Sequence, residues 1–139
     1  MTAGAVKLYT LEVLSLATSL SAWPYDPAMP FHGKARSQSC GSSLALSLQV
    51  GSKGQISGLG IAAQACAIGQ ASAALFAQSA IGQRRDDLAQ AAAALDAWLH
   101  GKANLPDWPG LSALSAVQAY PSRHGAMLLA WRAALDALP

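Results

Sequence analysis

The stretch SLALSLQVGSKGQISGLGIAAQACAIGQASAALFAQSA, residues 43–80, changes its hydrophobic period partway along, and that change decides the fold class. Over Ser43–Val50, Leu44, Leu46, Leu48 and Val50 alternate with Ala45, Ser47 and Gln49, the period of a strand with one buried face. Gly51-Ser52-Lys53-Gly54 reads as a turn. Residues 55–63 then return with Leu59, Ile61 and Ala63 on a common face, which completes a hairpin. After Cys66 the period becomes 3.6, and Ala67–Ala80 predicts a helix carrying Ile68, Leu75 and Phe76 as its large apolar residues. Gly82 ends it.

Upstream, residues 32–39 alternate more weakly, with Lys34, Arg36 and Gln38 on one side. They suit an outer strand, where charge deters stray pairing. Residues 9–21 predict a first helix through Val13, Leu16, Ala17 and Leu20, and Trp23-Pro24 and Pro27 end it in a proline-rich connection. Downstream, Asp86 or Asp87 starts a helix in which Leu88, Ala92, Leu95 and Leu99 share a face as far as His100-Gly101. Residues 102–110 are a loop, Leu111–Ala119 a short helix or turn, and Pro121 opens a last helix with Leu128, Trp131, Leu135 and Leu138 in one stripe. No internal repeat is visible. A helix, three strands and then several helices imply an α+β fold. The expected architecture is a small three-stranded antiparallel sheet packed against helices, in the order α-β-β-β-α-α-(α)-α, as a single domain over residues 1–139.

Composition narrows the function classes. Apolar residues make up 53% of the 139 residues and charged residues 12%, which argues against disorder. The net charge is +2, and Arg84-Arg85 is followed at once by Asp86-Asp87, so no clustered basic footprint for nucleic acid exists. No stretch reaches the ~18 uninterrupted apolar residues of a membrane span. Residues 8–22 are apolar, but Glu12 lies inside them and only Lys7 precedes them, so they read as a helix rather than a signal peptide. The expected location is cytoplasmic, where Cys40 and Cys66 stay reduced. No Ser-His-Asp spacing, phosphate loop or metalloprotease helix is present, and no enzyme is expected.

Cys40 precedes Gly41 where the first strand turns into the second, and Cys66 lies where the third strand meets a helix. A helix N-terminus favours the thiolate, the form that binds metal or attacks sulfur. Both thiols thus fall at one end of the sheet; two small buried core cysteines are the competing reading. "SCGS" at residues 39–42, "ACAIGQASAAL" at 65–75 and "AYPSRHGAMLLAW" at 119–131 resemble, in order, three motifs of the iron–sulfur cluster assembly scaffolds of the NifU N-terminal, IscU and SufU type. The family motifs are Cys-Gly-Asp, Gly-Cys-Ala-Ile-Ser-x-Ala-Ser, and Phe-Pro-x-Arg before a cysteine and Leu-Ala-Trp. The resemblance covers residues 9–131 and implies a SufE/NifU-like fold.

It also implies a scaffold that receives sulfur from a cysteine desulfurase, adds iron and hands on a labile cluster, or holds zinc, at three cysteines and an aspartate. Thiolates suit zinc and iron–sulfur centres. Only Cys40 and Cys66 carry over; the aspartate position is Ser42 and the third cysteine position is Ala126. The family histidine aligns with Gly125, one residue after His124, which is a further candidate ligand. On a regular helix residues two apart point about 200° from each other, so a core-facing or capping role for His124 competes with ligation. Arg123 occupies the family's basic position and is either site-flanking or solvated. Trp98, Trp108 and Trp131 read as core or loop anchors, and Arg84 to Asp87 as a solvated helix start.

The resemblance thus leads to a scaffold-like protein that binds iron, zinc or an Fe–S cluster through Cys40 and Cys66. Its expected partners are a cysteine desulfurase, other Fe–S assembly factors and further copies of the chain. A module that binds those partners without metal, or a thiol relay with Cys66 accepting persulfide and Cys40 resolving it, are the alternatives.

Overall fold

The structure is a computed structural model that describes residues 8–38 and 41–139. Its three-stranded antiparallel sheet has β2 (Ser43–Val50) between β1 (Phe31–Arg36) and β3 (Ile56–Gln64). Leu44, Leu46 and Leu48 stand opposite Ala63, Ile61 and Leu59, so the apolar faces of the hairpin coincide, as the alternation requires. A register shift at Gln49/Val50 brings Val50 opposite Ile56. β1 spans Phe31–Arg36 rather than the expected 32–39, because the chain turns back after Arg36. The Ser37 amide donates to the Ser42 carbonyl at 2.8 Å across that turn.

Helix α1 runs Leu11–Ser19 and continues as a 3₁₀ turn over Leu20–Ala22. Thr10 sets its start: the hydroxyl accepts the Val13 amide at 3.1 Å, an N-cap that displaces the expected start at residue 9. α2 spans Ala67–Ala80, α3 Arg85–Leu99 and α4 His124–Ala137. α2 is apolar nearly all round, and accordingly most of it is buried. α4 lies across β1 and β2 and packs on both α2 and α3. Pro121 does not open α4. Pro121–Arg123 form a 3₁₀ turn after the 3₁₀ stretch Leu111–Ala119, and α4 follows. Leu138 lies past the end of α4 yet remains buried.

The start of α3 is solvated, as expected, with Arg84, Arg85, Asp86 and Asp87 all exposed. Asp87 accepts the Arg84 amide at 2.8 Å, as a helix start should. Arg85, however, reaches back to the end of α4, its Nη1 donating to the carbonyls of Leu135 and Leu138 at 2.8 and 2.9 Å. It satisfies carbonyls that a helix end leaves without intrahelical partners.

Gly33 decides how close α4 comes to the sheet. A Cβ at this position would lie 2.0 Å from the Ala133 carbonyl oxygen and 2.6 Å from the Ala137 nitrogen, both backbone atoms that cannot rotate away. Gly33→Ala should therefore lift α4 off β1. The expected loss is about 1–3 kcal/mol, typical of overpacking, and urea unfolding measures it. An unchanged midpoint would mean that α4 shifts without cost.

Candidate functional site

The register sets Arg36, Ser43 and Gln64 side by side at one end of the sheet. From that row the chain enters the β1–β2 turn on one side and the start of α2 on the other. Cys40 lies outside the described residues. Its neighbour Gly41 has φ +70°, a left-handed conformation that favours glycine. Ser42, at the position where the family carries aspartate, is 5% exposed.

Cys66 is the N-cap of α2, with extended backbone (φ −64°, ψ 170°) and no cap hydrogen bond from its side chain. It is a free thiol, half-buried against the edge of the core. The Cys66 carbonyl accepts the Gln70 amide at 3.0 Å, while the Gln70 side chain donates to the Ala65 carbonyl at 3.0 Å. The backbone around the thiol is thereby held from both sides.

α2 and α4 run side by side in the same sense. Ala126 faces Gly69, the Ser72 hydroxyl donates to the Met127 carbonyl at 2.7 Å, and Phe76 meets Trp131. Their N-termini consequently share one end of the molecule, which brings Arg123 and His124 to the end occupied by Cys66. Ala126, at the family's third cysteine position, is 1% exposed. Its Cβ would be 3.5 Å from a Cβ placed on Gly69, so it packs on the first turn of α2, one turn from Cys66.

His124 hydrogen-bonds through Nε2 to the Gln118 carbonyl at 3.0 Å, and its ring stands edge-on to His100 with centroids 6.1 Å apart. His100 in turn binds the Asp96 carbonyl through Nδ1 at 2.9 Å, at the end of α3. His32 shares a 2.6 Å hydrogen bond with the Tyr25 hydroxyl on the outer side of β1. Arg123 is half-buried at the start of α4. Among the described residues no three His, Cys, Asp or Glu side chains converge as metal ligands. A structural zinc site usually has four protein ligands. Ser42 and Ala126 supply neither a sulfur nor a carboxylate at their positions, so the described residues do not form a closed metal cage.

Two features were not legible from the motifs. One is the packing of Gly69 beside Ala126; a small-residue pair so far apart in the chain has no local signature. The other is the outer face of the sheet, where Lys34 and Arg36 line a hollow beside the same end. The only hint was their shared side of the outer strand.

No family model matches the chain, and no curated protein matches it. Solved structures do. The N-terminal part of a nitrogen-fixing NifU-like protein from Brucella abortus aligns with a TM-score of 0.88 at 24% identity, over 97% of this chain and 94% of that one. A candidate iron–sulfur cluster assembly scaffold protein for the SUF system from thermophilic Fervidobacterium islandicum AW-1 aligns with a TM-score of 0.82 at 19% identity, over 95% and 97%. At these identities the likeness is one of fold. The chain is built on the NifU- and SufU-type scaffold fold that its three motifs imply.

Proposed function

We propose that the chain serves iron–sulfur cluster assembly as a scaffold-type protein. Cys66, with Cys40, accepts sulfur from a cysteine desulfurase and carries iron, zinc or a labile cluster as weakly held cargo. The thiol of Cys66 carries this reading: it is free, half-buried, makes no cap hydrogen bond and sits at the N-terminus of a 14-residue helix. The attacking species in sulfur transfer is the deprotonated thiol, the thiolate. That thiolate attacks the outer sulfur of the desulfurase persulfide; a new S–S bond forms on Cys66, the enzyme's S–S bond breaks, and the desulfurase sulfur leaves as a thiolate. Two thiolates alone hold metal loosely, and the missing donors come from His124, a partner or a second subunit. Such chemistry requires the reducing conditions of the cytoplasm.

Cys66→Ser tests the proposal. Incubation with a cysteine desulfurase and cysteine is expected to add the mass of one sulfur atom to the wild type and nothing to the variant. Anaerobic reconstitution with ferrous iron and sulfide should give charge-transfer absorption that the variant loses. Wild type and variant behaving alike in both assays would remove the thiol from the function. The burial of Ala126 against Gly69 favours a second reading, an assembly-factor-binding module that holds no metal. Purified protein free of iron and zinc, together with capture of a desulfurase by wild type and variant alike, is the result that reading expects.

A further inference from the structure

The face of the sheet turned away from the helices is poor in side chains. It consists of Ser43, Ala45 and Ser47 on β2 and of Gly58, Gly60 and Ala62 on β3, with the even-numbered residues of β1 beside them. One half of this face is covered by the chain itself. Pro24 bridges to Ile61 at the edge of β3, whose amide donates to the Trp23 carbonyl at 2.8 Å. The segment then folds over the face. The Pro24 carbonyl oxygen and the Tyr25 Cα lie 2.2 and 2.9 Å from where a Cβ on Gly60 would be, so only glycine admits them. The Asp26 amide donates to the Ser47 hydroxyl at 3.0 Å, and Ser47 is buried as a result.

Among the described residues nothing covers the other half of the face. It forms a hollow of about 780 Å³ with Ala45 and Ala62 as its floor and Lys34, Arg36 and Gln64 at its margins. Among the described residues no Asp or Glu lines it. Lys34 and Arg36 are exposed, and neither has an ion-pair partner among the described residues. The Lys34 backbone is occupied, its amide donating to Asp136 at 2.9 Å, so an incoming strand does not find that edge position free. Approach is therefore onto the face rather than to the edge of β1.

We propose that this open half is a docking surface for an extended acidic segment of a partner protein. The covered half demonstrates the geometry that the face accepts, extended backbone lying flat over small residues with polar contacts at its margins. The open half repeats that floor and adds two cations. Residues two apart on a strand are separated by about 7 Å, so Lys34 and Arg36 match carboxylates on alternate residues of an extended chain. Charge complementarity of this kind selects partners and speeds encounter. The hollow ends at the row Arg36, Ser43 and Gln64, two residues before Cys66. A segment docked there is delivered to the end of the sheet that holds the thiol, and the surface stands whether or not that thiol carries metal.

The test is a titration of the ¹⁵N-labelled full chain with an acetylated, amidated (Glu-Ala)₃ peptide, followed by amide chemical shifts. The (Gln-Ala)₃ peptide and inorganic phosphate serve as controls. Perturbations are expected to cluster on Lys34, Arg36, Ala45, Ala62 and Gln64 and to fade with added salt. The charge-reversed variant Lys34→Glu/Arg36→Glu should bind roughly tenfold more weakly, as expected for reversing two exposed charges; its spectrum outside the hollow should be unchanged. Four results overturn the proposal: no binding, perturbations centred elsewhere, equal binding of the Gln peptide or phosphate, or equal binding by the variant. Shifts at these residues that follow protein concentration alone would assign the hollow to a second copy of the chain and likewise overturn it.

Discussion

Truncation of Trp131 to alanine is expected to lower the unfolding free energy by about 3–5 kcal/mol, the range for large aromatic residues removed from a core. Trp131 is fully buried on α4. Its ring meets Phe76 of α2 edge-on at 5.2 Å and Trp108 of the 102–110 loop edge-on at 5.2 Å, while Phe76 and Trp108 stack at 5.7 Å. Trp108 is fixed independently, its indole donating to the Leu75 carbonyl at 2.8 Å. The cluster therefore joins α2, α4 and a loop. Edge-to-face pairs add about 0.5–1.5 kcal/mol each beyond area burial. The Trp131 indole N–H has no hydrogen-bond acceptor among the described residues, so the loss is one of packing. Trp131→Phe, which keeps an aromatic ring, should accordingly cost much less than Trp131→Ala. Urea unfolding followed by circular dichroism measures both. Equal losses for the two variants would place the stabilisation in the indole nitrogen rather than in the ring contacts.

The switch of period between residues 43 and 80 was enough to place the hairpin and α2, because a strand with one buried face and a buried helix leave different local patterns. Boundaries set by distant contacts were less accessible. Pro121 reads as a helix start, yet a 3₁₀ turn intervenes before His124, and a short apolar pattern does not separate a three-residue repeat from a four-residue one. The need for glycine at position 33 has no local signature, because it comes from the α4 backbone a hundred residues on. Arg85 reads as solvated and is exposed, but its bond to the end of a helix fifty residues away has no local signature. The site divides the same way. Cys66 at the start of α2 follows from the period change alone. The packing of Ala126 on Gly69, and the contact of His124 with Gln118 and His100, depend on how α2, α3 and α4 are assembled.

Introducing the aspartate and third cysteine of the scaffold motifs in the variant Ser42→Asp/Ala126→Cys is expected to raise zinc affinity by roughly a hundredfold or more, given how strongly site completeness governs structural zinc binding. The positions are suited to it. Ser42 is buried at the sheet end from which the β1–β2 turn springs, and Ala126 packs on the first turn of α2, one turn from Cys66. A sulfur at 126 and a carboxylate at 42 would complete three thiolates and a carboxylate with Cys40 and Cys66. The metal-free variant should be less stable than the wild type. A larger side chain at 126 enters a buried position, at about 1–3 kcal/mol, and a carboxylate at 42 is buried without its cation. Zinc should reverse that order, because a ligand that binds only the folded state stabilises it in proportion to its occupancy. The expected ranking in a competition titration against a chromophoric chelator is wild type, Ser42→Asp, Ala126→Cys, then the double variant. The ranking separates the two readings of the chain. A steep rise shows that the end of α4 still presents position 126 to the thiols, so that the wild type differs from a metal-holding scaffold by side chains alone. A double variant that is destabilised and gains no affinity shows instead that α4 is seated to fill the site, with Ala126 serving as packing against Gly69, and favours the module that docks partners without metal.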